Sequence, residues 1–150
     1  MVIRTVGDVV RDRPFGRVLP GQSLREACRA MREAGDGALA VMEEAALCGI
    51  LCETDVIHRA VCEGLPMDGT PVSDVMSRGP EVIDAADSVA AALQAMHQGG
   101  FRHLPVLEGA MVIGILSMRD IPTEYRYMAE RFAQAQAGPR PLGERGYRLL

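Results

Sequence analysis

Residues 49–56 read Gly49-Ile50-Leu51-Cys52-Glu53-Thr54-Asp55-Val56, and 65 positions later the chain reads Gly114-Ile115-Leu116-Ser117-Met118-Arg119-Asp120-Ile121. Outward from this pair, residues 23–56 fall on 88–121 without a gap, and 13 of those 34 positions are identical. Ser23, Met31, Gly35, Leu39, Gly49 and Asp55 meet Ser88, Met96, Gly100, Leu104, Gly114 and Asp120. Further upstream the offset becomes 66, matching Val6-Gly7-Asp8-Val9 with Val72-Ser73-Asp74-Val75. Self-similarity at a fixed offset marks a duplicated structural unit. The chain is two copies of one motif.

Each copy reads helix, strand, strand, helix. Ser23-Leu24-Arg25-Glu26 has capping-box spacing, in which the Ser oxygen and the Glu carboxylate serve each other's free amides. Leu24, Ala27, Cys28 and Met31 then recur on one helical face, as do Val89, Ala92, Leu93 and Met96. Gly35 and Gly100 stand at the helix C-caps. Two apolar runs follow, 38–42 and 47–52, broken by Glu43-Glu44-Ala45-Ala46; their counterparts are 104–107 and 111–116. Short runs with polar breaks predict hairpins. A helix is expected from Glu53 to Glu63, stopped by Gly64 and Pro66. In the second copy Pro122 delays the matching helix, which runs from Thr123 to about Ala137 before Gly138-Pro139. The expected organisation is a first copy over 1–65, a linker over 66–71, a second copy with its C-terminal helix over 72–133, and a tail over 134–150. Neither half is large enough to secure a core alone, so the two must pack together about a pseudo-twofold axis.

The 150 residues amount to 16.2 kDa with 48% hydrophobic and 24% charged side chains, a globular balance. The formal charge of −4 argues against a nucleic-acid partner that needs a basic surface. No apolar run is long enough to span a bilayer, and Met1-Val2-Ile3-Arg4 does not read as a secretory start. A soluble, cytoplasmic protein with no membrane partner is expected. All 16 basic residues are Arg, and Lys, Asn and Trp are absent, a usage that suggests a GC-rich bacterial genome. Aromatic residues are 4% of the chain, so aliphatic and Met side chains must fill the core. Cys28, Cys48, Cys52 and Cys62 read as reduced, buried thiols.

The two Gly-Ile-Leu-x-x-x-Asp segments, together with Gly100-Phe101-Arg102-His103-Leu104-Pro105-Val106 and Val72-Ser73-Asp74-Val75-Met76, resemble the hallmarks of cystathionine-β-synthase (CBS) domains. The resemblance spans roughly residues 4–125. It implies an α/β (α+β) fold, a tandem CBS pair or Bateman module, with two small sheets flanked by helices and related by a pseudo-twofold. It also implies clefts between the repeats that bind adenine nucleotides (AMP, ADP or ATP, with NAD and S-adenosylmethionine less expected), a homodimer, no catalysis and no required cofactor. Most relatives regulate an attached or partner protein; here the regulated protein is unidentified. The family gives the motif's aspartate to the ribose hydroxyls, and that role falls on Asp55 and Asp120. Each cleft would join the Asp corner of one copy to the strand-entry segment of the other. One joins Cys52, Thr54 and Asp55 to Ile83, Phe101, Arg102 and His103. The other joins Ser117, Arg119 and Asp120 to Leu19, Asp36, Gly37 and Ala38.

The residue chemistry ranks these clefts. Ser117 suits an N-cap with Asp120 at the third position, and a helix start attracts phosphate. Phe101 offers a ring for stacking and Arg102 a permanent cation, whereas Asp36 would repel a phosphate. The Asp55 cleft is therefore expected to be the better nucleotide site, although the Cys52 thiol is a poor substitute for a hydroxyl. An alternative stands beside this: a ligand-free dimerisation or scaffold module in which both aspartates merely cap helices. Ser117, His103 and Asp120 supply the residue types of a hydrolase triad without a nucleophile elbow, so no enzyme is expected. Cys48, Cys52, His58 and Cys62 lack metal-ligand spacing, and no metal is expected.

Overall fold

The computed structural model describes residues 5–137. The first sheet is built from β1 (Arg17–Val18), β2 (Ala38–Glu43), β3 (Ala46–Cys52) and β4 (Ser77–Arg78), in that spatial order. β1 lies parallel to β2; the other neighbours are antiparallel. The second sheet is β5 (Ile83–Asp84), β6 (His103–Glu108) and β7 (Met111–Ser117), with β5 parallel to β6 and β6 antiparallel to β7. Five helices accompany them: α1 (Val6–Val10), α2 (Leu24–Ala34), α3 (Glu53–Val56), α4 (Val89–Gly99) and α5 (Thr123–Ala137). The mixed α+β architecture of two small sheets flanked by helices is the one expected.

The duplication extends to register. Val41 faces Gly49 in one hairpin and Val106 faces Gly114 in the other, and both ladders shift by one residue just after those pairs. The hairpin turns are tighter than the apolar runs suggest. Glu43 pairs with Ala46 and Glu108 with Met111, which leaves two turn residues, the first at positive φ in Glu44 (56°) and Gly109 (61°). Ser23 and Ser88 cap α2 and α4, accepting from Glu26 N and Ala91 N at 3.1 Å. The carboxylate half of the expected capping box at Glu26 is not made, because Glu26 Oε2 accepts instead from Gln22 Nε2 at 2.9 Å. Gly35 and Gly100 end these helices in the left-handed region, at φ 67° and 70°.

Three apolar clusters hold the molecule together. One lies under α2 and the first sheet, a second under α4 and the second sheet, and a third joins Ala38, Ala40, Met42 and Ile50 to Val112 and Ile115 between the two sheets. Alternation along β2 explains the division: Leu39 and Val41 point to the first core, while Ala38, Ala40 and Met42 point to the seam.

The repeat boundaries in space do not follow those in the sequence. Val6 and Val10 of α1 are fully buried in the core of the second repeat, and Val72, Val75 and Met76 are buried in the core of the first. Backbone bonds fix the exchange: Val6 N donates to Asp87 O at 2.8 Å and Val72 N to Gln22 O at 2.8 Å. Gly49 and Gly114 make the close approach possible. A Cβ on Gly49 would stand 2.6 Å from Ser77 O, and one on Gly114 would stand 2.7 Å from Val10 Cβ.

Other expectations need correction. The helix after β3 continues from α3 into a π-helical stretch, Ile57–Val61, and stops short of Glu63. α5 spans Thr123–Ala137 as expected, crossing the position where the tail was taken to begin; residues 138–150 lie outside the described residues. Cys62 is exposed and the other three thiols are only half-buried, since they sit at the edges of the clusters. No described helix is long and apolar enough to cross a membrane.

Replacing Gly49 by Ala is expected to lower unfolding stability by about 1–3 kcal/mol, the range for forcing an added group into a close-packed site. Gly21→Ala, where a Cβ meets nothing within 4 Å, is expected to change it by less than about 0.5 kcal/mol. Urea titration of both variants measures the difference.

Candidate functional site

Each repeat brings its second hairpin strand into a sharp corner with the turn that follows. At the end of β3, Cys52 N donates to Asp55 Oδ2 at 2.9 Å; at the end of β7, Ser117 N donates to Asp120 Oδ2 at 2.7 Å. The first amide past each corner is tied to a strand-entry carbonyl, Glu53 N to Gly37 O at 3.0 Å and Met118 N to Arg102 O at 2.8 Å. Ser117 Oγ also accepts from Arg119 N at 3.3 Å. Cys52 makes no equivalent side-chain bond. Burial, followed by the nearby Asp55 charge, pushes the Cys52 thiol up to about 12, so it stays protonated and is a weak nucleophile.

A cavity of about 560 Å³ opens at the Asp55 corner, within the range of small-molecule sites. The structure brings Cys52, Thr54 and Asp55 together there with Phe101, Arg102 and His103 of the second repeat. Gly37, Ser117 and Arg119, expected around the other corner, line this same cavity. The Phe101 ring lies against Gly99, where a Cβ would sit 1.8 Å from Cε1, so the missing side chain is what lets the ring settle at the rim. Arg102, His103 and Arg119 set basic groups against the acids Glu53, Asp55 and Glu81.

Five expected residues lie elsewhere. Ile83 is turned into the second core by the alternation of β5 and does not line the cavity. Ala38 is fully buried in the seam, and Leu19 projects to solvent at 56% exposure. Asp120 is gripped by Arg13, whose Nη1 and Nη2 donate to its two carboxylate oxygens at 2.9 and 2.6 Å. These bonds raise the Arg13 pKa further above its already high ordinary value. Asp36 accepts from His103 Nε2 and Arg119 Nη2, both at 3.3 Å. It therefore crosslinks the repeats, at the edge of a second, more open cavity of about 510 Å³ that Gly37 and Arg119 also line.

Pro80 and Glu81, just before β5, were missed as lining residues; the signal was their place at the entry to the strand. Arg13 carried no sequence signal, because its partner lies 107 positions away. Among the described residues no group of His, Cys, Asp and Glu is arranged to hold a metal ion.

The family model described as CBS domain matches residues 6–61 and 72–125. The CBS domain-containing protein CBSCBSPB5 of Arabidopsis thaliana is 43% identical over 98 residues, covering 64% of this chain and 18% of its own length. The CBS domain-containing protein YhcV of Bacillus subtilis is 34% identical over 105 residues, covering 69% and 74% respectively. The chain thus spans under a fifth of that plant relative and about three quarters of the bacterial one. Among solved structures, the CBS domain NE2398 superposes with a TM-score of 0.74 at 29% identity, over 79% of this chain and 94% of its own. The protein PAE2072 from Pyrobaculum aerophilum, solved in complex with AMP, has a TM-score of 0.74 at 22% identity, over 87% of this chain and 99% of its own, a likeness of fold.

The His103 hydrogen bond, more than any other influence, holds the Asp36 carboxyl below its ordinary value of 3.8. A carboxyl depressed in the folded state contributes stability that is present above its unfolded pKa and is lost as pH falls through the folded one. Asp36→Asn is therefore expected to lower stability at pH 6 and to flatten its decline below about pH 4. Thermal melts of both proteins across that acid range measure the effect; parallel profiles would contradict it.

Proposed function

The chain belongs to the CBS-domain family as a tandem pair, a regulatory module, and from that premise we propose that it senses an adenine nucleotide in the Asp55 cavity and passes occupancy to a partner protein. The observation that carries this reading is the meeting, in one cavity, of an Asp carboxylate, an aromatic ring and basic side chains drawn from both repeats. Asp55 suits a ribose because Oδ1 is left to accept from hydroxyls while Oδ2 is held by Cys52 N. Phe101 offers a ring edge or face to a purine. Arg102 and Arg119, both exposed side chains, suit a phosphate. AMP, ADP and ATP share these features, and the AMP-bound neighbour of the same fold supports the class. Because the ligand touches both repeats, it favours whichever packing of the two it fits better; that difference in affinity is the physical route to signalling. No resident cofactor and no catalytic step enter this reading.

A second copy of the chain completes the proposal as a homodimer. Ile57 and Val61 on the stretch after α3, with Tyr127, Met128 and Phe132 on α5, expose large apolar side chains that suit self-association.

AMP, ADP, ATP, NAD and S-adenosylmethionine are each expected to be tested by thermal shift, and at least one adenine nucleotide should raise the melting temperature progressively with concentration. Flat curves at millimolar levels for all five would favour the ligand-free scaffold instead. Asp55→Asn removes a charged acceptor worth roughly 1.5–3 kcal/mol, so calorimetry should show affinity weakened about 10- to 100-fold. The double variant Ile57→Glu/Val61→Glu should sediment as a monomer where the parent chain sediments as a dimer.

A further inference from the structure

Asp55 and Asp120 occupy the same backbone setting and meet different partners. Each has Oδ2 held by the amide at its corner, Cys52 N at 2.9 Å and Ser117 N at 2.7 Å. Past that shared bond, the nearest cation to Asp55 is Arg59, with Nη1 3.9 Å from Oδ1 and beyond hydrogen-bonding length. Asp120 is instead held by a complete fork: Arg13 Nη1 on Oδ1 at 2.9 Å and Nη2 on Oδ2 at 2.6 Å. Nη2 also donates to Ile115 O at 3.1 Å, which fixes the guanidinium to the backbone of β7. The 66-residue offset that matches Val6–Val9 with Val72–Val75 carries Arg13-Pro14 onto Gly79-Pro80 (13 + 66 = 79). The second repeat thus offers no side chain where the first offers an arginine.

We propose that Arg13 is an internal occupant of the Asp120 corner, taking the carboxylate lone pairs that a vicinal diol would use and leaving the chain one open nucleotide site. This rests on the reading of the Asp55 cavity as that site. Two parallel N–H donors of a guanidinium present to a carboxylate what two adjacent hydroxyls of a ribose present, but with a full charge behind them. The fork is also intramolecular, so a free ligand competes against a donor that is always at hand. Other groups expected at that corner are engaged as well, although Asp36, Gly37 and Arg119 border an open cavity of about 510 Å³ that Asp120 does not line. Asp36 holds His103 and Arg119, and Ala38 is buried in the seam. Arg13 is thereby a specificity-determining residue: it decides how many ligands a chain takes and which repeat supplies the carboxylate.

Calorimetric titration with AMP tests this on the full chain, on Arg13→Ala, on Arg13→Gln, and on Arg13→Ala/Asp120→Asn. One site per chain is expected for the parent, two for Arg13→Ala, and one again for the double variant. Arg13→Gln keeps a stem and an amide donor without the charge or the fork, so it should show the second site at lower affinity than Arg13→Ala; it stands in if Arg13→Ala does not fold. Two sites in the parent chain, or one in both single variants, would overturn the role given to Arg13 while leaving the Asp55 site intact. Binding by the Arg13 variants and not by the parent would keep that role and overturn the Asp55 site. No binding by any of the proteins overturns both.

Discussion

Two close approaches onto glycine govern how this molecule is put together. Segment 72–77 lies on Gly49, and α1 lies on Gly114, each at a distance no side chain would permit. Through these contacts the N-terminal piece of each repeat caps the core of the other, bringing Val6 and Val10 to one and Val72, Val75 and Met76 to the other. A half-molecule would lose part of its own core and expose the seam face of its sheet. The two repeats are consequently one cooperative unit, and a ligand touching both reads a single structure instead of two loosely tethered ones.

The same packing sets up the electrostatics of the site. Once the sheets meet across Ala38, Ala40 and Ile115, the charged residues at the corners have few partners except each other. Asp36 is drawn to His103 and Arg119 and Asp120 to Arg13, whereas Asp55 lines its cavity with Arg59 at 3.9 Å, beyond hydrogen-bonding length. An internally repeated scaffold is thus electrostatically unsymmetrical at its two corners. The preference for the Asp55 corner that composition suggested, from the repulsion Asp36 would exert on a phosphate, has a different footing in the structure. Asp36 is paired with its neighbours, and the Asp120 carboxylate is already engaged by Arg13.

Where prediction from residues fell short, the cause was geometric. The family resemblance puts Ile83 in a cleft as part of a strand-entry segment, but strand alternation sends it inward and leaves Pro80 and Glu81 to line the cavity. Leu19 and Ala38 bracket a corner by sequence, yet one points to solvent and the other into the seam. Glu26 has the spacing of a capping box and spends its carboxylate on Gln22. Spacing restricts which groups can meet; it does not choose among partners that are equally near.

Duplication, the helix–strand–strand order within each repeat, the presence of both hairpins and the matching of the two motif aspartates were legible in the sequence, because each is written in local periodicity, in glycine and proline punctuation, or in self-similarity at a constant offset; the hairpin registers and the short strands β1, β4 and β5 were not. The crossing of the N-terminal segments, the grip of Arg13 on Asp120 and the gathering of residues from both corners into one cavity were decided only in three dimensions. They depend on contacts between residues tens to a hundred positions apart, where closeness follows from how the two sheets pack and leaves no pattern along the chain.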